Sequence, residues 1–316
     1  MINYGTLLAA IVPIFLVIAA GALARVLGFL PLEAEQPFNR LNLRLLYPCL
    51  VFNYTLGNSA LMSARSLVGA PALGFGITLG AMLLALVVAR ALRLPPASQR
   101  TFAFVTGITN YGYLPIPLSA LLFDDATTGT LLVFGVGVEV AIWTFGILLL
   151  AGELRAEQFR KLLNPPVICL AAAIALNLSG ASRYLPFALK ETFRLLGNTA
   201  IPFGLLLIGA VLYDLTRKID WLEHPRAPLA GLILRLGVLP VAILLLTAFI
   251  PESMRETRRV LILQAAMPCG IFPIVITKYY HGDTPLALRI VLLSTLAGVF
   301  LIPLWLTFGL RLFGLD

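Results

Sequence analysis

The first half of the chain contains RTFAFVTGITNYGYLP at residues 100–115, and the second half contains RRVLILQAAMPCGIFP at residues 258–273. A fixed offset of 158 residues pairs Arg100 with Arg258, Gly112 with Gly270, Pro115 with Pro273, and Asp125 with Asp283. Both stretches are otherwise apolar and long enough to cross a membrane. A repeated membrane helix that is interrupted at matching places is the best sequence indication of a secondary transporter's binding site.

The composition excludes a soluble protein. Of 316 residues, 59% are hydrophobic and 12% are charged, and the mean hydropathy is +0.95. Soluble domains carry about 25% charged residues. The net charge of +8 does not indicate nucleic-acid binding, because the basic residues mostly flank hydrophobic runs, where they act as orientation signals. The three cysteines lie in separate apolar segments and form no metal-binding pattern, so we expect no metal and no cofactor.

The hydropathy predicts ten membrane-spanning helices. A span needs about 20 apolar residues, and the candidates are 4–24, 39–56, 67–92, 100–122, 127–151, 165–182, 190–213, 226–250, 257–280 and 285–312. The polar connection 152–164 separates a first five-helix repeat, 1–151, from a second, 165–316. Because five is odd, two halves of one fold must be inverted relative to each other.

The distribution of Lys and Arg predicts the orientation. Connections after the odd-numbered spans hold Arg25, Arg90, Arg93, Arg155, Arg160, Lys161, Arg217, Lys218 and Lys278, and the other side holds Arg65, Arg183, Lys190, Arg255, Arg258 and Arg259. Cytoplasmic loops carry the excess of basic residues. We therefore expect segment 152–164 in the cytoplasm and both termini outside the cytoplasm, in a cytoplasmic (inner) membrane.

Several motifs, taken in order, resemble the auxin efflux carrier family, in its compact bacterial form without the long loop of the plant carriers. They are LYPCLVF (46–52), TNYGYLPIPL (109–118), LGNTAIPFGLLLIGA (196–210), LRLGVLP (234–240), QAAMP (264–268), LSTL (293–296) and PLW (303–305). Tyr113 departs from the family pattern, which more usually has a glycine there.

The resemblance implies a ten-helix fold with two inverted repeats, similar to those of sodium/proton antiporters and bile-acid symporters, with broken fourth and ninth helices that cross. It also implies transport of small organic acids, such as malonate or malate in bacteria and auxin in plants. A homodimer is expected from the analogy of fold.

The two interruptions form the first candidate site. Proline breaks a helix, and backbone that is freed inside a membrane is tolerated only within protein or beside a water-filled cavity. Two helix N-termini that meet at one point offer a place for a carboxylate. The predicted substrate-binding residues here are Asn110, Tyr111, Gly112, Pro115, Met267, Pro268, Cys269, Gly270 and Pro273, with Thr109 and Gln264 as residues that couple an ion. The alternative is that proline and glycine only kink the helices.

Glu139 and Arg235 form the second candidate site. Glu139 lies about 18 Å into its span and Arg235 about 13 Å into another, at 1.5 Å per residue. Ionisable residues inside a membrane are functional by default. We expect the two to pair, Arg235 to neutralise a bound organic anion, and Glu139 to couple a proton. The alternatives are a static ion pair or an Arg235 that extends to the interface. Trp143, Trp221 and Trp305 are expected at the membrane interfaces or in contact with lipid rather than in a binding site.

These residues favour a secondary transporter of a small organic anion by alternating access, coupled to protons or to sodium. A cation/proton antiporter or a bile-acid-type symporter of the same fold remains the alternative, followed by a channel or a membrane sensor. No apolar span combines Ser and His, and none has a central Asp, so an enzyme is not expected.

Overall fold

The computed structural model describes residues 3–153, 160–217 and 225–315, except for the side chains of residues 64 and 65. Over these residues the chain is helical and contains no β-strand. Six helices are long and apolar enough to cross a membrane: Tyr4–Val26, Ser66–Ala91, Asp125–Ala151, Phe187–Thr216, Arg226–Ala248 and Thr284–Leu312. The chain is therefore a polytopic membrane protein. Part of the predicted cytoplasmic connection, residues 154–159, lies outside the described residues.

The helices of the described residues follow in chain order. They are α1 (Tyr4–Val26), α2 (Leu32–Leu41), α3 (Tyr47–Thr55), α4 (Ala64–Ala91), α5 (Pro96–Gly107), α6 (Pro115–Leu122), α7 (Asp125–Ala141), α8 (Ile147–Ala151), α9 (Pro165–Leu178), α10 (Phe187–Thr216), α11 (Arg226–Ile233), α12 (Leu239–Ala248), α13 (Arg255–Ala266), α14 (Phe272–Tyr279) and α15 (Thr284–Leu312).

Three pairs of these helices are joined by a single π-turn, and each pair makes one continuous rod. The π-turns are Asn42–Leu46 between α2 and α3, Ile142–Gly146 between α7 and α8, and Leu234–Val238 between α11 and α12. Single π-turns inside α-helices occur frequently at functional sites. Two of these turns carry Trp143 and Arg235.

The second predicted span is longer at its start than the hydropathy indicates. Its rod begins at Leu32, whereas the prediction began at residue 39. Because Glu33, Glu35 and Arg40 are charged, the hydropathy did not include the first turns of this helix in the span. Glu35 forms an ion pair of 3.0 Å with Arg25, and Arg25 also contacts Asp214 at 3.0 Å. Local charge pairing therefore supports a helical start that hydropathy alone does not detect.

Glycines bring the long helices close together. A Cβ at Gly209 of α10 would overlap the carbonyl oxygen of Ile18 in α1, and a Cβ at Gly137 of α7 would overlap that of Pro71 in α4. Small residues at such interfaces let membrane helices approach backbone to backbone. The α1–α10 and α4–α7 interfaces are extensive, and α4 and α7 also pack against the interrupted helices.

Candidate functional site

Two helices are interrupted in the middle of the molecule, and the interruptions are similar in size. A helix of 12 residues, α5, ends at Gly107, and α6 of 8 residues begins at Pro115. Likewise α13, of 12 residues, ends at Ala266, and α14, of 8 residues, begins at Phe272. Met267 has extended backbone with φ −77° and ψ 141°, the conformation that a following proline favours. A proline, Pro268, thus follows the end of α13, and Pro115 and Pro273 lie in the first turns of the restarting helices α6 and α14.

The two interruptions cross and satisfy each other's backbone. The N–H of Asn110 donates to the carbonyl oxygen of Pro268 over 2.8 Å, and the N–H of Gly270 donates to that of Ile108 over 2.9 Å. Thr109 and Cys269 face each other in the resulting antiparallel bridge. Backbone groups inside a membrane need such partners, because the hydrocarbon of the bilayer offers none. A pair of bonds between the breaks therefore makes the irregular backbone stable at this depth.

A cavity of about 430 Å³ lies on one side of this crossing. It is lined by Asn39, Leu43, Tyr47, Thr109, Asn110, Tyr111, Gly112, Tyr113, Glu139, Trp143, Arg160, Lys161, Asn164, Pro165, Pro166, Gly270, Ile271, Phe272 and Pro273. Its wall therefore combines both interruptions with α7, the π-turn after it and the segment that leads into α9. The volume suits a small organic molecule.

Glu139 is held in this cavity by two neutral donors. The hydroxyl of Tyr111 donates to Oε1 over 2.6 Å, and Nε1 of Trp143 donates to Oε2 over 2.9 Å. Tyr111 belongs to the first interruption and Trp143 to the π-turn Ile142–Gly146. Each carboxylate oxygen thus has one donor, and neither donor is charged.

The segment before α9 contributes basic side chains to the cavity wall. Arg160 and Lys161 both line the cavity. Nζ of Lys161 lies 4.8 Å from the ring centroid of Trp143 and 4.7 Å from that of Tyr279. A cation over an aromatic face is attracted to the ring's quadrupole. The mouth of the cavity therefore carries cations that attract anions.

Arg235 does not line this cavity, and the prediction that it forms an ion pair with Glu139 is wrong. It is 1% exposed, and its guanidinium donates to the carbonyl oxygen of Met267 over 2.9 Å and to that of Gln264 over 3.1 Å. These carbonyls belong to the C-terminal end of α13, where a helix presents partial negative charge. The guanidinium thus stabilises the helix end at the break. The depth argument failed because similar depth does not place two side chains on facing surfaces.

The predicted site residues divide into two groups. Thr109, Asn110, Tyr111, Gly112, Glu139, Gly270 and Pro273 line the cavity. Pro115, Arg235, Gln264, Met267, Pro268 and Cys269 do not line it, although all are buried at or near the crossing. The amide of Gln264 and the hydroxyl of Thr109 are buried and have no hydrogen-bond partner among the described residues.

Sequence reasoning missed several residues of the cavity wall. Tyr47, Trp143, Arg160, Lys161 and Asn164 line it. Trp143 was expected at the membrane interface, but it is buried and bonded to Glu139. The spacing of four residues between Glu139 and Trp143 could have shown this, because such residues share a helix face. Arg160 and Lys161 carried no such signal, since they were interpreted only as orientation charges.

Comparison with known proteins fits this geometry. A sequence profile of the family described as "Membrane transport protein" matches residues 6–161 and 154–306, almost the whole chain. The chain belongs to this membrane transport protein family. The resemblance to auxin efflux carriers is thereby confirmed. A relative in Methanothermobacter thermautotrophicus, described as an uncharacterized transporter, is 23% identical over 303 residues, which cover 93% of this chain and 96% of that protein.

Membership of the membrane transport protein family favours translocation over catalysis. Together with the long apolar helices, it makes the chain an integral membrane transporter.

Proposed function

We propose that this protein is a secondary active transporter that carries a small organic anion, a carboxylate, by alternating access across the cytoplasmic membrane. The observation that carries the proposal is the cavity at the crossing, where neutral donors lie beside two cations. Asn110, Tyr111 and Trp143 offer amide, hydroxyl and indole donors, and Arg160 and Lys161 supply positive charge. Charge-assisted hydrogen bonds of this kind are the strong contacts for a carboxylate.

The repeated architecture supports alternating access. The two interrupted helices have equal segments of 12 and 8 residues, as two related halves require. We infer two inverted five-helix repeats, and in such folds one unit rocks against the other around a fixed site. A channel, in contrast, does not need a closed barrier between its binding site and one side of the membrane.

A second pocket gives the proposed path its other end. This pocket, of about 420 Å³, is lined by residues that include Leu50 and Tyr54 of α3 and Ile116 and Pro117 of α6. Leu50 and Tyr54 lie further along α3 than Tyr47, and Ile116 and Pro117 come after Tyr113 of the interruption. Tyr47 and Tyr113 line the first cavity. The Lys/Arg distribution supports a cytoplasmic position for the first cavity, because Arg160 and Lys161 lie at its mouth. We therefore propose that the structure is inward-facing.

Gln264 and Thr109 are proposed to hold a coupling cation such as sodium. Their buried oxygens have no hydrogen-bond partner among the described residues, and unpaired buried polar groups are costly. Neutral oxygens are suitable ligands for a hard cation.

The test is counterflow in liposomes that contain the purified protein. Vesicles loaded with an unlabelled acid should accumulate the same labelled acid, across a panel of monocarboxylates, dicarboxylates and aromatic acids, with and without sodium. Asn110→Ala should weaken the apparent affinity about tenfold, which corresponds to about 1.4 kcal/mol. Asn53→Ala, outside the cavity, serves as the matched control. Wild-type vesicles that accumulate none of these acids, or Asn110→Ala vesicles that behave like the control, contradict the proposal.

A further inference from the structure

The two groups that donate hydrogen bonds to Glu139 are arranged in the way that would also bind the carboxylate of a ligand. The Tyr111 hydroxyl and the Trp143 indole N–H come from two separate segments and converge on the two oxygens of one carboxylate. Both residues line the cavity, so a ligand in the cavity reaches the same donors. The contact with Glu139 therefore shows that these two donors bind a carboxylate.

Glu139 and an anionic ligand exclude each other while Glu139 is ionised. Its carboxylate accepts a hydrogen bond from each donor, and Glu139 is the only acidic residue among the described residues that line the cavity. A second carboxylate beside it would meet a like charge, which is strongly unfavourable where water is scarce. Protonation removes this charge and leaves a neutral group that needs fewer donors.

We propose that Tyr111 and Trp143 are the carboxylate-binding pair of the cavity, and that Glu139 is a tethered competitor which releases them when it takes up a proton. This inference rests on the proposed function and adds a proton, carried by Glu139, to the ions that are coupled to transport. The proton passes from water in the cavity to a Glu139 oxygen, and the ligand carboxylate then takes the two donors. One proton and one carboxylate therefore bind together.

The groups around Glu139 fit this exchange. The residues that face the cavity with titratable or charged side chains are Tyr47 from α3, Tyr111 and Tyr113 from the interruption, and Arg160 and Lys161 from the segment before α9. In the proposed exchange, the ionised Glu139 carboxylate first supplies the negative charge of the site. A bound anion replaces that negative charge once Glu139 is neutral, so the net charge at the site is conserved in the exchange.

The first measurement is ligand affinity against pH. The probes are acetate and benzoate, because both stay ionised between about pH 6 and about pH 8, and their binding is followed by isothermal titration to purified protein. We expect wild-type affinity to fall about tenfold per pH unit where Glu139 is ionised. Glu139→Gln, which keeps one acceptor oxygen without a charge, should bind with an affinity that is independent of pH. Wild-type binding that does not change with pH overturns the inference.

The second measurement separates ligand contact from positioning. If Tyr111 and Trp143 contact the ligand, Tyr111→Phe and Trp143→Phe should weaken binding in the Glu139→Gln background as well. If they only position Glu139, they should have no effect there, and that result overturns the inference. Thermal unfolding of each variant shows that it is folded.

A third measurement needs no ligand. With Trp221→Phe and Trp305→Phe, Trp143 is the sole tryptophan, and its fluorescence should titrate with pH in this protein but not after Glu139→Gln. Fluorescence that does not titrate overturns the release of Trp143 by protonated Glu139. If fluorescence titrates and no acid binds or is transported, the proposed function fails while this proton-binding step stands, so the two failures are distinguishable.

Discussion

Arg235 and Met267 are joined by a hydrogen bond of 2.9 Å from the guanidinium Nε to the carbonyl oxygen at the second interruption. The same guanidinium also holds the carbonyl of Gln264. The π-turn Leu234–Val238 thus fixes the end of α13, and the crossing is built on that end. A buried cation serves here to hold backbone in place, at a distance from the cavity wall.

The first prediction is that Arg235 and Glu139 contribute independently to stability. Arg235→Gln should lower the Tm, because a hydrogen bond to a charged group contributes about 1.5–3 kcal/mol. Glu139→Gln should shift the Tm by the same amount with and without Arg235→Gln, since residues with no shared partner have additive effects. Thermal unfolding of the wild type, both single variants and the double variant measures this. A double variant as stable as the wild type would show that the two side chains form a pair after all.

The second prediction concerns the contact between α1 and α10. Gly209→Ala should lower the free energy of unfolding by about 1–3 kcal/mol, because the new methyl group would overlap the carbonyl oxygen of Ile18. Gly76→Ala is the control, since a Cβ there meets no atom within 4 Å, and it should have little effect or stabilise α4 slightly. Equal Tm values for the two variants would show that α1 and α10 move apart to accommodate the methyl group at little cost in stability.

Much of the fold could be predicted from the sequence, because two signals were strong. Hydropathy located the apolar helices, and the matched Gly112, Gly270, Pro115 and Pro273 located both interruptions. The offset of 158 was less accurate at Asp125 and Asp283. Asp124, not Asp125, caps α7, whereas Asp283 caps α15. A shift of one residue between the two halves therefore changes which side chain caps the free N–H groups at the start of the helix.

The candidate site was harder to predict, because side-chain partners depend on helix rotation. Hydropathy gives the depth of Glu139 and Arg235 but does not give the direction in which each points. The donors Tyr111 and Trp143 became partners of Glu139 only through the break and the π-turn. No local pattern in the sequence indicates a π-turn.

The third prediction is a pH dependence that arises at Asp124. Its carboxylate accepts from the backbone N–H of Thr127 over 2.8 Å and from Arg259 Nη1 over 2.8 Å, and so links α7 with α13. Partial burial opposes ionisation, yet the Thr127 hydrogen bonds and the Arg259 guanidinium hold the pKa of Asp124 below its ordinary value. A lowered pKa stabilises the folded state above the unfolded value of about 3.9, and this contribution is lost as the pH falls through the lowered pKa.

Asp124→Asn keeps a capping side chain and removes the charge. Between neutral pH and about pH 3 its Tm should therefore fall less steeply than that of the wild type. Asp125→Asn changes the net charge equally and is the control. Identical slopes for Asp124→Asn and the wild type would show that the pair with Arg259 does not contribute in solution.

The fourth prediction concerns orientation in the membrane. A cysteine in place of Tyr184, which is 89% exposed, should react with an impermeant thiol reagent in intact cells. One in place of Leu163, which is 70% exposed, should react only after the cells are opened. Cys169, which is partly exposed, is replaced by serine in both variants, while Cys49 and Cys269 are buried. The reverse labelling pattern would place segment 160–164 outside the cytoplasm and reverse the proposed inward-facing state.

The last prediction is that Tyr113 limits the size of the substrate. Its ring packs against Gly204 of α10, where a Cβ would overlap it, and lies edge-on to Tyr47 with ring centroids 6.5 Å apart. Tyr113 thus lines the cavity, and its ring occupies the space between the interruption and α10. Tyr113→Gly should let bulkier carboxylates compete for uptake about 10- to 200-fold better, the range expected for a change of about 1–3 kcal/mol in a pocket. Tyr113→Phe keeps the ring and should retain the wild-type order of preference. Competition by acids of increasing size measures both, and an unchanged order in Tyr113→Gly would show that the size limit lies elsewhere in the wall.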